Sequence, residues 1–328
     1  MAYNIVSRST LMSFSSFIKT AEHVSRCLEL AILLEVSAYP KPGNVHRTAD
    51  FQGTRYEHFL ASAVAVAPHF KHAAEQGIHV SEHKIKPTDV GIGTVIKDAV
   101  TSVSLWQCDG NTLLGSIILL SPMAVAAGML TKEKFSQSQL RKNIKVIVES
   151  STPLDAVNVY GAIQIVKPSG LGKAPKLDVT DPASKQKILD DQVTLFEVFE
   201  IASAYDSIAS EWVNNYPITF DLGHPYFAQQ LKERADVNTA TVHTFLKILS
   251  EVPDTFISRK VGLDKAKKIS AEAGQVLEKG GLTTSSGRKL LQKFDKKLRD
   301  PAHKLSPGTT ADITEAVLAI SILNGYRP

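Results

Sequence analysis

The chain has 328 residues, of which 43% are hydrophobic and 21% are charged. This composition supplies enough apolar sequence for one large domain or two smaller ones, and it argues against a disordered chain. The formal net charge is only +4, from 37 basic and 33 acidic residues. The lysine-rich segments are therefore expected to be solvated helix faces, and no nucleic-acid partner is predicted.

The most apolar stretch, residues 113–130, is interrupted by glycine, serine and proline. A membrane-spanning helix needs about 20 mostly apolar residues, so this stretch predicts a buried core helix and no membrane association. The N-terminal sequence MAYNIVSRST lacks a basic segment followed by an apolar one, and no secretory signal is predicted. Cys27 and Cys108 form neither a disulfide framework nor a zinc-binding spacing. Together these features favour a cytoplasmic location.

Apolar residues recur at helical spacing along most of the chain, whereas strand-like runs are short and lie inside longer amphipathic segments. The predicted helices are 18–36, 56–76, 89–106, 112–130, 139–149, 153–166, 183–210, 226–250, 263–279, 285–298 and 310–323. The pattern predicts an all-α fold, a single multi-helix domain of about a dozen helices over residues 1–328. The Gly-, Pro- and Lys-rich residues 167–181 are predicted to form either a linker or a functional loop.

The loop after the first predicted helix has an unusual composition. Glu35 lies near the helix end, prolines flank Lys41, and Gly43 permits a positive φ or a close backbone approach. His46 and Arg47 follow at once. A rigid loop of this kind can hold cations against phosphates; the alternative is an ordinary Pro-Gly helix stop that carries surface charges.

Three further segments place polar residues at predicted helix starts. Residues 109–115 precede the apolar helix, where free N–H groups can bind an anion. Asp254 precedes Arg259 by about one turn, and a donor-rich turn at residues 306–310 precedes Asp312. For each segment, ordinary helix capping or complementation of the helix dipole is the alternative interpretation.

The chain contains no Walker A, kinase, nucleophile-elbow, HExxH or EF-hand motif. Its polar segments instead resemble, in order, the signature motifs of the triphosphoribosyl-dephospho-CoA synthase family, and the chain looks like a divergent, archaeal-type member. The matching segments are Glu35 with residues 40–45 ("E…PKPGLVD"), residues 93–98 ("G…E"), residues 111–115 ("NTHKG"), residues 254–259 ("DTN…RGG") and residues 305–312 ("LSPGGSAD"). The resemblance extends over residues 28–323.

The resemblance implies an all-helical fold and a glycosyl transfer from ATP. In that reaction a ribose hydroxyl of dephospho-CoA attacks C1′ of the ATP ribose, adenine leaves, and the triphosphate stays on the transferred sugar. The implied small-molecule partners are ATP and dephospho-CoA, or a related phosphorylated acceptor. Mg²⁺ is the cofactor expected with the triphosphate. The oligomeric state is not specified by the sequence.

The resemblance also implies which residues form the site. The expected catalytic carboxylates are Glu35, Asp98, Asp254 and Asp312, of which Glu35, Asp98 and Asp312 are also the expected metal ligands. The expected substrate-binding residues are Lys41, Gly43, Asn44, His46, Arg47, Asn111, Thr112, Arg259, Ser306, Gly308, Thr309 and Thr310. The four carboxylates are predicted to converge in one cleft, with Lys41 and Arg259 at its rim and bound to phosphates.

The chain departs from the family motifs at several positions. Leu113 and Leu114 replace a His-Lys pair, His46 replaces an aspartate, and Phe256 replaces an asparagine. Because adjacent helical residues point about 100° apart, only one of the two leucines is predicted to face the cleft. Two alternatives follow: a related nucleotide-dependent transferase in the synthesis of another cofactor, such as a pterin-type one, or a non-catalytic nucleotide-binding relative.

Overall fold

The structure is a computed structural model that describes residues 20–108, 112–131, 134–168, 171, 174–234 and 236–328. This part of the chain contains fifteen α-helices and no strands, and the predicted all-α fold class is confirmed. The helices are α1 (Ala21–Ser37), α2 (Tyr56–Ser81), α3 (Ile92–Trp106), α4 (Leu114–Gly128), α5 (Gln137–Glu149), α6 (Pro153–Val166), α7 (Ser184–Asp190), α8 (Leu195–Ala202), α9 (Ser207–Val213), α10 (His224–Arg234), α11 (Val237–Glu251), α12 (Thr255–Val261), α13 (Leu263–Glu278), α14 (Ser285–Leu298) and α15 (Gly308–Leu323).

The helix count exceeds the predicted dozen because two predicted helices are divided and because α12 lies outside the predicted ranges. The segment 183–210 forms α7, α8 and α9, since Thr194 caps the start of α8 through the N–H of Glu197 and Asp206 caps the start of α9. The segment 226–250 divides in the same way, where Asp236 caps the start of α11. A polar side chain that accepts from free N–H groups starts a new helix even where the apolar spacing continues.

Two helices form the centre of the molecule. Along α4 the residues from Ser116 to Gly128 are all buried, and α15 is buried from Ile313 to Leu323. A helix that is apolar all round belongs in a core, and α15 packs against α1, α4, α10 and α11. A second, smaller apolar cluster joins α11, α12, α13 and α14. These contacts fix the N-termini of α4 and α15 next to each other.

The most apolar helix, α4, is part of this core, as predicted. Among the described residues, no helix has the length and apolarity needed to cross a membrane. The close packing of α2 on α4 depends on glycine, because a Cβ on Gly77 or Gly128 would collide with the backbone of the facing helix.

The described residues between positions 167 and 183 form turns and bends rather than a helix. Tyr160 on α6 fastens this loop, since its hydroxyl donates to the Leu177 carbonyl at 2.5 Å. The loop therefore lies over α6, where it forms one wall of the cavity described below. That one domain spans residues 1–328 stays a prediction.

Candidate active site

A cavity of about 580 Å³ lies where the N-termini of α4 and α15 meet. Its other walls come from the end of α1, from α6, α8, α9 and α12, and from the described part of the 167–179 loop. Of the predicted site residues, the cavity wall contains Glu35, Asn44, Thr112, Arg259, Ser306, Gly308, Thr309 and Asp312. The segments that the sequence singled out therefore do meet, although not every residue in them faces the cavity.

Carboxyl groups form one end of the cavity. Glu35 comes from the last turn of α1, and Asp312 and Glu315 lie one turn apart on α15. Glu35 and Glu315 are buried, with 1% and 2% of their surface exposed, and Asp312 is half-buried. Three acids in so small a space repel one another, and such perturbed groups are typical of functional sites.

Asp312 is held at the N-terminus of α4. The Ser116 hydroxyl donates to its Oδ1 at 2.5 Å, and the Ser116 backbone N–H donates as well. Desolvation is the largest influence on this carboxyl, and together with the charges of Glu35 and Asp254 it raises the pKa of Asp312 to about 7. A group with this pKa near neutrality can take up or release a proton during a reaction.

Glu315 is a site residue that the sequence motifs did not indicate. Its Oε2 has no hydrogen-bond partner among the described residues. Burial, followed by the charges of Glu35 and Asp312, raises the pKa of its carboxyl well above the usual value. The available signal was its spacing, one turn after Asp312 in an otherwise apolar helix.

Lys41 lies behind the carboxyl end of the cavity, and its predicted place at the rim is wrong. It is fully buried and its Nζ lies 2.6 Å from Glu35 Oε1. Burial raises the pKa of Glu35, and the Lys41 ammonium opposes that shift. Because a buried carboxylate needs a counterion, Lys41 is committed to Glu35 and does not line the cavity where a phosphate would bind.

Gly43 and Asn44 have different positions in the same loop. Gly43 has φ +69°, and a Cβ there would lie 2.5 Å from Leu298 Cβ, so glycine is required for the loop to pack on α14. Its N–H donates to Asp295 Oδ1 at 2.9 Å. Gly43 therefore supports the loop instead of contacting the cavity, whereas Asn44 lies on the cavity wall.

His46 and Arg47 do not line the cavity, contrary to the prediction. His46 is buried with its Nε2 2.9 Å from an Arg299 nitrogen. Burial, followed by the charges of Arg299, Lys41 and Arg47, lowers the pKa of His46 to about 3, so the ring stays neutral. Arg47 is exposed and its guanidinium stacks on the Tyr39 ring at 4.1 Å.

Asp254 and Thr310 connect two helix starts behind the cavity wall. Asp254 Oδ1 accepts from the Ile257 N–H at the start of α12, while its Oδ2 accepts from the N–H and hydroxyl of Thr310, each at 2.8 Å. All of these groups are buried. Asp254 is thus a double helix cap that positions α12 and α15, and neither Asp254 nor Thr310 lines the cavity.

The cationic side of the cavity is built on α12. Arg259 lines the cavity as predicted, and its guanidinium pairs with Asp206, the α9 cap, at 2.6 Å. Lys260 lies 3.8 Å above the Phe256 ring and donates to the His303 carbonyl. The sequence did not single out Asp206 or Lys260, because a helix cap and a lysine are common at surfaces.

The predicted donor-rich turn lies at the start of α15. Ser306, Gly308 and Thr309 line the cavity, and Thr309 accepts a hydrogen bond from the Thr255 hydroxyl at 3.3 Å. Thr112, just before α4, also lines the cavity, and its hydroxyl lies 2.8 Å from the Ser62 hydroxyl. Asn111 lies outside the described residues.

Asp98 does not join the carboxyl cluster, so the predicted convergence of all four acids is wrong at this position. The buried face of α3 contains Val95, Ile96, Ala99 and Val100, whereas Asp98 is exposed. Its charge acts on His69 of α2 instead of on Asp312. No residue of α3 is on the cavity wall, so the "G…E" motif did not indicate a residue of this cavity.

The three predicted metal ligands do not form one site. Asp98 is on the outer face of α3, and Glu35 is already paired with Lys41. In the described part of the chain, no three His, Cys, Asp or Glu side chains are grouped as metal ligands. Carboxylate oxygens suit Mg²⁺ chemically, but these three residues do not fit a protein-held Mg²⁺ ion.

The two leucines at the family's His-Lys positions are separated as predicted. Leu114 lines the large cavity, whereas Leu113 is outside that wall and 1% exposed. The side of the cavity toward α6, α8 and α9 is also apolar, with Ile163, Phe199 and Ile208 on its wall. The cavity thus has an acidic end, a cationic side and an apolar side.

The profile of the CitG family, described as ATP:dephospho-CoA triphosphoribosyl transferase, matches residues 21–328. The chain belongs to this family. This CitG-family protein is 24% identical over 310 residues to a 2-(5''-triphosphoribosyl)-3'-dephosphocoenzyme-A synthase candidate of Pseudomonas fluorescens, covering 92% of each chain. It is 33% identical over 89 residues to the Klebsiella pneumoniae synthase of that name, a match that spans 29% of the relative's length.

A solved structure shares the fold of this CitG-family protein. The crystal structure of a candidate triphosphoribosyl-dephospho-CoA synthase from Archaeoglobus fulgidus superposes with a TM-score of 0.59 at 22% identity. The alignment covers 82% of this chain and all of that one. At this identity the likeness establishes the all-helical fold alone.

Proposed function

We propose that this protein transfers the triphosphoribosyl group of ATP to a ribose hydroxyl of dephospho-CoA and releases adenine. The observation that carries the proposal is the family match over residues 21–328. The cavity supports it, because one space contains acidic, cationic and apolar surfaces that suit a sugar, a triphosphate and an acceptor's neutral arm.

The chemistry assigns different tasks to the two charged sides. Displacement at C1′ develops oxocarbenium character, which a nearby carboxylate such as Glu35 stabilises. Asp312, with its pKa near 7, suits a general base for the acceptor hydroxyl. Arg259 offers a preorganised guanidinium to the triphosphate.

Neutral donors complete the proposed binding site. Ser306, Thr309 and the start of α15 can orient ribose or phosphate oxygens, and Asn44 and Thr112 on the same cavity wall can do so as well. Mg²⁺ enters this proposal as part of the MgATP substrate, bound to the triphosphate. A cytoplasmic location is proposed with it, because ATP is the donor.

The buried acids argue against the non-catalytic alternative. Burying a carboxyl without partners costs about 1–3 kcal/mol or more, and Glu315 Oε2 has no partner in the described structure. A binding site that only held a nucleotide would be more stable with an apolar residue there.

The test is to incubate the protein with MgATP, with and without dephospho-CoA, and to quantify adenine by chromatography and the acceptor product by mass spectrometry. The proposal predicts equal amounts of adenine and of acceptor extended by one triphosphoribosyl group. Absence of adenine release with dephospho-CoA would rule out this acceptor.

The Leu114 side chain supports a second candidate acceptor. It gives the cavity an apolar surface at the position of a lysine in the family motif, so a less anionic acceptor than dephospho-CoA would bind there at lower desolvation cost. Adenine release with another phosphorylated cofactor precursor, including a pterin-type one, but not with dephospho-CoA would favour this candidate.

A further inference from the structure

Glu315 has an unusual hydrogen-bonding state for a buried acid. In the described part of the chain, three buried side-chain atoms lack a partner, and of these only Glu315 Oε2 belongs to a residue of the cavity wall. Buried polar atoms are normally paired. Because Glu315 lines the cavity, a ligand bound there can supply the partner that this oxygen lacks.

The neighbouring groups decide where protons lie in this cluster. Glu35 is paired with the Lys41 ammonium, so it is held as a carboxylate. Asp312 accepts both the hydroxyl and the N–H of Ser116, and two donors favour its ionised form. Glu315 faces the negative charges of both acids. Ser116 has a single hydroxyl proton and donates it to Asp312, so among the described residues the Lys41 charge is the remaining influence that favours the Glu315 carboxylate. The proton of the cluster therefore belongs to Glu315.

We propose that Glu315 is a catalytic residue that donates a proton to the leaving purine. The inference rests on the proposed function. As the C1′–N9 bond breaks, its electron pair passes to the purine and the Glu315 proton moves to a purine ring nitrogen. The acceptor oxygen forms the new bond to C1′, and its proton passes to the Asp312 carboxylate.

Ser116 provides the route that restores this arrangement. Its hydroxyl donates its one proton to Asp312 Oδ1 at 2.5 Å, so its oxygen can accept the proton of the neighbouring Glu315 carboxyl. After one turnover Asp312 is protonated and Glu315 is ionised, and exchange of one proton through the shared hydroxyl returns both to their starting states. Two acids with different environments on one wall are the arrangement that acid–base catalysis needs.

The experiment compares two donors in the Glu315→Gln variant. ATP carries adenine, which needs a proton to leave, whereas 4-nitrophenyl ribofuranoside 5-triphosphate releases nitrophenolate without one. General acid catalysis contributes about 10²–10⁴-fold, so kcat with ATP is expected to fall by that factor. With the nitrophenyl donor kcat is expected to change less than about threefold, with both KM values near wild type. Glu251→Gln on α11, a surface acid paired with Lys247, is the matched control.

The outcomes separate this inference from the proposed function. If wild type releases adenine but Glu315→Gln loses activity equally on both donors, Glu315 has a structural role and the inference is wrong. Unchanged kcat with ATP would also refute it. If wild type releases neither leaving group, the proposed function fails first.

A second measurement covers the case in which Glu315→Gln does not fold. The pH profile of wild-type kcat is then recorded with both donors. Loss of the Glu315 proton at high pH should slow the reaction of ATP alone. Glu35, Asp312 and Lys41 influence that titration directly, and Asp254 acts through Asp312. Identical alkaline limbs for the two donors would contradict the inference.

Discussion

At the scale of single residues, Arg259 is the guanidinium best placed to bind a triphosphate. Its pairing with Asp206 at 2.6 Å fixes its direction before a ligand arrives. Hydrogen bonds to charged groups contribute about 1.5–3 kcal/mol, so Arg259→Met should raise the KM for MgATP roughly 10- to 150-fold. Steady-state kinetics of adenine release would measure this.

The control for Arg259→Met is Lys297→Met. Lys297 on α14 pairs with Glu272 on α13, and neither residue lines the cavity. This control variant should leave the KM for MgATP unchanged. An Arg259→Met variant with a wild-type KM would mean that the triphosphate binds elsewhere in the cavity.

Single residues also show how far the sequence could identify the site. Arg259 and Asp312 were both indicated by a sequence motif close to a helix start, and both lie on the cavity wall. Lys41 and Asp98 do not, because a motif fixes the order of residues and not which way each side chain points. Glu315 lies outside the motifs, and its spacing one turn after Asp312 was the one signal, because an acid in an apolar helix is usually expected at a solvent-facing position.

At the scale of helices, Asp254 is predicted to matter through the two helix starts it caps. Replacing a helix cap by alanine costs about 0.5–2 kcal/mol. Asp236 and Asp254 each accept three hydrogen bonds, but those of Asp236 all come from the start of α11 at the surface, whereas buried Asp254 joins α12 to the Thr310 N–H and hydroxyl. Asp254→Ala leaves buried donors unpaired and should therefore lower the free energy of unfolding by about 1–3 kcal/mol more than Asp236→Ala, measured by urea denaturation. Equal losses would show that burial of the contact with Thr310 adds nothing to stability.

Gly115 in the first turn of α4 gives a second prediction about helices. A Cβ at this position would collide with the Asp312 carboxylate, while a Cβ at Gly274 on α13 would have its nearest contact 3.8 Å away. Gly115→Ala should displace Asp312 and abolish most adenine release. Gly274→Ala should instead stabilise the protein by about 0.5–1 kcal/mol, as alanine does within a helix. Normal adenine release by Gly115→Ala would show that Asp312 has no role in the reaction.

The helices themselves were largely predictable. The bounds of α6 and α14 agree with the apolar pattern and its caps, because Thr152 and Thr284 accept from the N–H groups that start those helices. The division of 183–210 was missed because α7, α8 and α9 continue one apolar pattern, and only their caps mark the breaks. Periodicity predicts which residues are buried but does not by itself predict where the backbone turns.

At the scale of the whole molecule, the cavity depends on packing that the sequence does not specify. Its apolar side comes from α6, α8 and α9, whose inward residues look like ordinary core residues in the sequence. Their contribution to the site becomes visible only when α4 and α15 are placed beside them. The polar segments could be identified from motifs and helix caps, whereas the acceptor side could not.

The stability of the whole molecule should also depend on pH through this site. The pKa of Asp312 is about 7 in the folded protein, above its ordinary value of 3.8. The folded state therefore keeps a proton that the unfolded state loses, and the free energy of unfolding falls as pH rises from about 4 to 7. For one proton the slope is at most about 1.4 kcal/mol per pH unit. Asp312→Asn has no carboxyl to titrate, so its free energy of unfolding should not fall in this way. The free energy of unfolding of the variant minus that of wild type should therefore rise between pH 5 and 7 and stay constant above pH 7.

Groups outside the cluster of Asp312, Glu315, Glu35 and Asp254 change the absolute curve but not this difference. Glu211, whose pKa burial raises to about 7, acts in the same direction as Asp312. His46 and His243, with pKa values that burial lowers to about 3 and about 4, act oppositely because only the unfolded state binds their protons below about pH 6.5. Asp221→Asn is the control, since Arg141 lowers the pKa of Asp221 and its titration ends below this window. Urea unfolding of the three proteins at pH 5, 6, 7 and 8 makes the comparison, and parallel curves for wild type and Asp312→Asn would show that Asp312 is ionised throughout.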